Sequence, residues 1–211
     1  MTLSADDSKI QIRSRLFVFW SRIAVREEAA SWRARREAEA ARDNDAGAEI
    51  AGFLQREQDA ALVAICASAF ALDAFYGDLN ELQLVPRPLK ATWRQNLTPR
   101  HAQVLETLKH GFNVGQQSQA WSREFEWLFD LRDGAVHFEG HFAETVPHPM
   151  GTGISADVAE FRPESATRAV DVMMAVLKTT TQNPKPATAE LAASLTRIVS
   201  EIEELRRAEG Q

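Results

Sequence analysis

Apolar residues return along this chain every three to four positions, the period of a helix with one face turned inward. No stretch keeps the strict alternation of a half-buried strand. Ile12, Leu16, Phe19 and Ile23 open the pattern and predict a long helix over about Ile10 to Arg42. Its later part, Arg26 to Arg42, mixes Glu27, Glu28, Glu37 and Glu39 with Arg33, Arg35 and Arg36, and reads as a solvated face laced with i,i+4 ion pairs. Asp43-Asn44-Asp45-Ala46-Gly47 breaks it. A second helix, about Ala48 to Leu82, carries Ile50, Phe53 and Leu54 and then the alanine-rich Ala60 to Phe75. Small residues over that many turns let another helix approach closely, which makes this the expected central helix of the core.

Pro86-Arg87-Pro88 forces a turn. Thr98-Pro99 sets an N-cap hydroxyl before a first-turn proline and starts a helix that ends near His110-Gly111. A fourth helix, about Gln116 to Phe138, holds Trp121, Phe125, Leu128 and Phe129. Glu139 to Phe161 reads as irregular, with Gly140, Pro147, Pro149, Gly151 and Gly153, and loops of that length are usually functional or mobile. Pro163 opens a fifth helix with Val170, Met173, Met174 and Leu177 inward, followed by a polar linker, Thr179 to Pro186. The last helix spaces Leu191, Leu195, Ile198, Ile202 and Leu205 by fours and threes, a seam too short to stand alone. The expected architecture is all-α: an antiparallel bundle of four to five helices over residues 1–183, and a C-terminal helix over 184–211 that packs or dimerises.

Composition adds limits. A chain of 211 residues, 45% hydrophobic, can bury one good core. A net charge of −6 argues against a general coat for nucleic acid and permits a local basic groove. The best such patch is Trp93 with Arg87, Lys90, Arg94 and Arg100, which reads as solvated surface before it reads as an RNA-steering face. Cys66, the single cysteine, fits a reducing cytosol, and its apolar neighbours suit an inert buried thiol. Met1 to Lys9 lacks the basic-then-apolar order of a secretion signal, and the apolar run Ala60 to Leu72 is too short to cross a bilayer. A cytoplasmic protein without a membrane partner is expected.

The definite chemical suggestion lies in Leu131-Arg132-Asp133-Gly134-Ala135-Val136-His137, at the end of an apolar helix. An imidazole moves protons near neutral pH, and a guanidinium grips a phosphate in two-pronged fashion. At ~100° per residue the two side chains of one ideal helix point about 140° apart. They converge if the backbone loosens at Gly134, or with their copies across a two-fold axis. An RNA 2′-hydroxyl then attacks the adjacent phosphate to give a cyclic phosphate.

These residues resemble the signature of HEPN domains: arginine, a polar residue, a few more, then histidine. The alanine-rich Ala67 to Phe75 with its acid, Asp73, resembles the second helix of many such domains, and the likeness spans Ala48 to Leu177. It implies a helical bundle that dimerises with the motif lining a cleft at the interface. It further implies a metal-independent endoribonuclease, as in toxin–antitoxin, phage-defence or RNA-processing systems, with no cofactor. Arg132 and His137 would be catalytic and Asp133 the neighbour that orients them. Members paired with a nucleotidyltransferase antitoxin often carry a modifiable tyrosine two positions after the histidine; here Glu139 stands there and the only tyrosine is Tyr76. Some members only bind or scaffold, so a non-catalytic dimerisation module and a nucleotide sensor are the alternatives. Blander readings exist too. Arg132 can pair with Asp130 or Glu126, and His137 can cap its helix. A metal cluster of His137, Glu139, His141 and His148 matches no zinc spacing.

Overall fold

The computed structural model describes residues 5–44, 47–136, 144–151 and 153–210. Among these run seven α-helices and one small antiparallel ribbon: α1 (Ala5–Asp43), α2 (Gly47–Glu81), α3 (Arg87–Gln95), α4 (Arg100–Gly111), α5 (Gln117–Val136), β1 (Thr145–Pro147), β2 (Gly153–Ser155), α6 (Pro163–Gln182) and α7 (Ala189–Glu209). The all-α expectation holds.

α1 and α2 form a long antiparallel hairpin. As numbering rises on one helix it falls on the other: Phe17 meets Phe75, Trp20 meets Phe70, Arg35 meets Glu57 and Glu37 meets Arg56. The buried positions of α1, Phe17-Ala24-Ser31-Ala38 and Ser21-Glu28-Arg35, recur every seventh residue. That spacing keeps one face of a long helix against a long neighbour. Ser21, Ser31 and Ser68 bury their hydroxyls in this seam by donating to the carbonyls of Phe17, Glu28 and Ala64 on their own helices.

α2 is the centre, touched by α1, α4, α5 and α6. It is the one described helix long and apolar enough to cross a membrane by length and composition, yet 67% of its apolar window is buried within the fold. Core packing accounts for its character. α7 lies on α1 and α6 of its own chain, with Leu195, Val199 and Ile202 buried. Arg206 clamps it there, donating to Glu28 of α1 and to Asp171 of α6, each at 2.6 Å.

Four local expectations are corrected. Pro86-Arg87-Pro88 begins a helix: Pro86 is the N-cap of α3, and Pro88 sits in the first turn, where its missing N–H costs nothing. Pro99, not Thr98, is the N-cap of α4, and no side chain caps it; the Thr98 carbonyl instead accepts from Gln103 Nε2 at 2.7 Å. The polar stretch from Thr179 continues α6 to Gln182, burying Thr179 and Thr180, whose hydroxyl donates to the Leu177 carbonyl at 2.7 Å. Within the segment expected to be irregular, β1 pairs with β2 in the register Val146 opposite Ile154. Strands of three residues are too short to display a period.

Candidate functional site

α5 turns Trp121, Phe125, Leu128 and Phe129 into the core, and that spacing decides where Arg132 leaves the helix. Its guanidinium lies over the Phe129 ring, 4.7 Å from the centroid. Nε and Nη2 both donate to Asp133 Oδ1, at 2.9 and 2.5 Å. The Arg132 side chain is 15% exposed. Among the described residues neither Asp130 nor Glu126 pairs with it, and its Nη1 edge stays uncommitted.

α5 runs on through Gly134 to Val136, so the helix does not loosen at that glycine and this route to convergence is absent. His137, Glu139 and His141 lie outside the described residues. Of the four groups weighed as a metal cluster, His148 is described, and it is engaged elsewhere. Among the described residues no three His, Cys, Asp or Glu side chains converge as a metal site.

Around Arg132 the surroundings are defined. Burial pushes the Cys66 thiol of α2 up, and the positive charge of Arg132 pulls it the other way. Val63, one turn before Cys66, and Val136, one turn past Arg132, are exposed. Phe70, one turn beyond Cys66, contacts Trp20, which in turn meets the exposed Phe19. Exposed apolar side chains thus stand on α1, α2 and α5, and Val63 among them lines a groove with Glu27, Arg33, Glu37, Arg56 and Asp59.

The basic patch on α3 and α4 offers less than its composition suggests. Trp93 is buried and cannot stack on a base. Lys90 is bonded to Asn80, and Arg100 pairs with Asp73 at 3.1 Å while lying over the Tyr76 ring. Arg87 and Arg94 remain exposed.

A second cluster was not legible as a site in the sequence. Arg35, placed there on a solvated face, is buried. Its Nε and Nη2 donate to the two oxygens of Glu57, each at 2.6 Å, with the side chains 5% and 3% exposed. The bond to Glu57 raises Arg35's hold on its proton against the opposing pull of burial. His148, in the turn between β1 and β2, completes the group. The Met150 N–H donates to His148 Nδ1 at 3.2 Å, which leaves Nε2 to carry the ring hydrogen and donate to Glu57 Oε1 at 3.3 Å. The seven-residue spacing of Ser21, Glu28 and Arg35, in step with Ala24, Ser31 and Ala38, is the signal that could have found it.

This network forms part of the wall of a half-open cavity of about 440 Å³ between the start of α2, the β1–β2 ribbon and the entry to α6. Its apolar lining includes Ile50, Leu54, Ile154 and Phe161, and Arg162 also lines it. Glu57 and His148 find their partners inside this network, and Arg35 Nη1 lies 3.6 Å from Glu164 outside it, so the network serves to hold structure in place. No family model, no curated protein and no solved structure matches this chain.

Proposed function

We propose that this chain is a HEPN-type endoribonuclease that cuts RNA without a metal as a homodimer in the cytosol. Arg132 would hold the phosphate, Asp133 would orient Arg132, and His137 would act as general acid/base. The observation that carries the reading is the state of Arg132. Its guanidinium is seated on Phe129 and tied to a single carboxylate oxygen, and among the described residues no partner takes its Nη1 edge. A cation so held is pre-organised to meet a phosphate with little further loss of freedom. The exposed apolar side chains Phe19, Val63 and Val136 support a second copy as the neighbour that completes the site.

In the reaction the RNA 2′-oxygen loses its proton to imidazole and bonds to the adjacent phosphorus. The bond to the 5′-oxygen breaks and that oxygen is protonated, leaving a 2′,3′-cyclic phosphate and a 5′-hydroxyl. A toxin or phage-defence effector, restrained by an antitoxin or a nucleotidyltransferase, is the cellular role this chemistry fits. Purified protein should cleave single-stranded RNA in EDTA, and His137→Ala and Arg132→Ala should each lower the rate about 100-fold or more at unchanged fold. Full activity in His137→Ala, or none in the wild-type chain, overturns the proposal.

The second reading is a non-catalytic assembly module. It is favoured by the same exposed apolar side chains and by the engagement of Arg132 with Asp133. Under it, Arg132→Ala weakens self-association and no RNA is cut.

A further inference from the structure

We infer that the cavity beside the Arg35–Glu57–His148 network is a binding site for a small molecule with an apolar body and one anionic group, independent of any nuclease activity at Arg132. Two observations carry this.

The first is that the cavity is held open. Among the described residues from 144 to 160, His148 and Met150 are the two that are buried; the strands themselves are exposed or half-buried. The ribbon is thus attached at its tip. That attachment runs through a charged pair inside the protein, where Arg35 and Glu57 sit 2.6 Å apart and His148 donates to Glu57. A polar anchor of this kind cannot slide into the apolar space beside it, because doing so would strip a buried guanidinium or carboxylate of its partner. The ribbon therefore spans the cavity without collapsing into it. A half-open cleft of about 440 Å³, lined by apolar and polar side chains together, is in the size range of ligand sites.

The second is the balance of charge on the lining. Glu57 is neutralised by Arg35, and the His148 tautomer set by the Met150 N–H is uncharged. Gln58 is a neutral amide. Arg162 is then the remaining charged lining residue: it is exposed, and among the residues whose side chains are described, which exclude Asp157, no carboxylate pairs with its guanidinium. Ile50, Leu54, Ile154 and Phe161 supply apolar contact behind it. An aliphatic or aryl carboxylate meets both halves, its body against these four side chains and its carboxylate on Arg162.

Decanoate and 4-phenylbutyrate are the probes, with decan-1-ol as the uncharged control, measured by titration calorimetry on the full chain. Decanoate should bind saturably at one site per chain. Arg162→Gln should weaken it about tenfold while leaving decan-1-ol unchanged, the loss expected for one charge-assisted contact. Ala51→Trp should abolish binding of both. Ala51 is an exposed lining residue, so the indole fills the cavity without disturbing the core, and Gln55→Trp serves as a second plug from the same face. Absence of saturable binding by both carboxylates overturns the inference. So does binding that survives both plugs, which would place it outside this cavity.

Discussion

Replacing Glu57 by glutamine changes little in volume and removes one charge from a place where charge cannot be spared. Arg35 would remain 5% exposed, with Glu164 as its nearest remaining carboxylate at 3.6 Å, itself 47% exposed. Arginine cannot escape by losing its proton, because its pKa lies far above the working range even without Glu57. Deleting one partner of a buried ion pair costs about 3–5 kcal/mol. The surviving Glu164 and the amide oxygen of the new glutamine place this case near the lower end, about 3 kcal/mol. For a domain of this size that corresponds to a fall in Tm of about 6–12 °C.

The pH dependence has a definite sign. A basic group whose pKa is raised on folding contributes stability that is fully present below its unfolded value and lost only as pH rises through the folded one. For Arg35 both values lie above any usable pH, so the pair's contribution from the arginine side should be constant up to alkaline conditions. Urea denaturation and thermal circular dichroism of Glu57→Gln, Arg35→Met and the double variant Arg35→Met/Glu57→Met measure the effect. The double variant should recover most of the loss, since an apolar pair of similar volume escapes the desolvation penalty. A single variant within about 0.5 kcal/mol of wild type, a change no larger than that of an ordinary surface substitution, would refute the reasoning. So would a double variant as unstable as the two singles combined.

Three further outcomes follow from the geometry. Burial holds Cys66 as a neutral thiol, so its stabilising contribution is complete at neutral pH and falls as pH climbs past the ordinary thiol value. Its alkylation by iodoacetamide should therefore need alkaline conditions, and Arg132→Gln should move the inflection of the pH–rate profile higher; an unmoved inflection would deny that the guanidinium acts on the thiol. Arg206→Met should loosen α7 by leaving Glu28, whose side chain is 9% exposed, without its partner, at a cost of about 1–3 kcal/mol. Hydrogen exchange along α7 reads this, and unchanged protection would show the clamp to be idle. Phe19→Asp, at a position 55% exposed, should leave the monomer fold intact and shift the chain towards monomer in light scattering; an unaltered mass would remove Phe19 from the proposed interface.

Much of the bundle was readable from local pattern. Helix period is a property of neighbouring residues, so Val170, Met173, Met174 and Leu177 announced the inward face of α6, and the alanines of α2 announced a helix that others approach closely. Arg132 could be placed at the end of an apolar helix for the same reason. Local pattern failed where a residue's environment is set by something distant in the chain. Arg35 and Glu28 look solvated beside so many charges, yet Glu57 and Arg206, brought in by α2 and α7, make their burial tolerable. Thr179 and Thr180 read as linker because a buried hydroxyl bonded to its own helix leaves no trace in a hydropathy pattern. The nearness of Cys66 to Arg132 and the cavity under the ribbon arise from how elements pack. Packing depends on contacts between residues far apart in sequence, which no local period encodes.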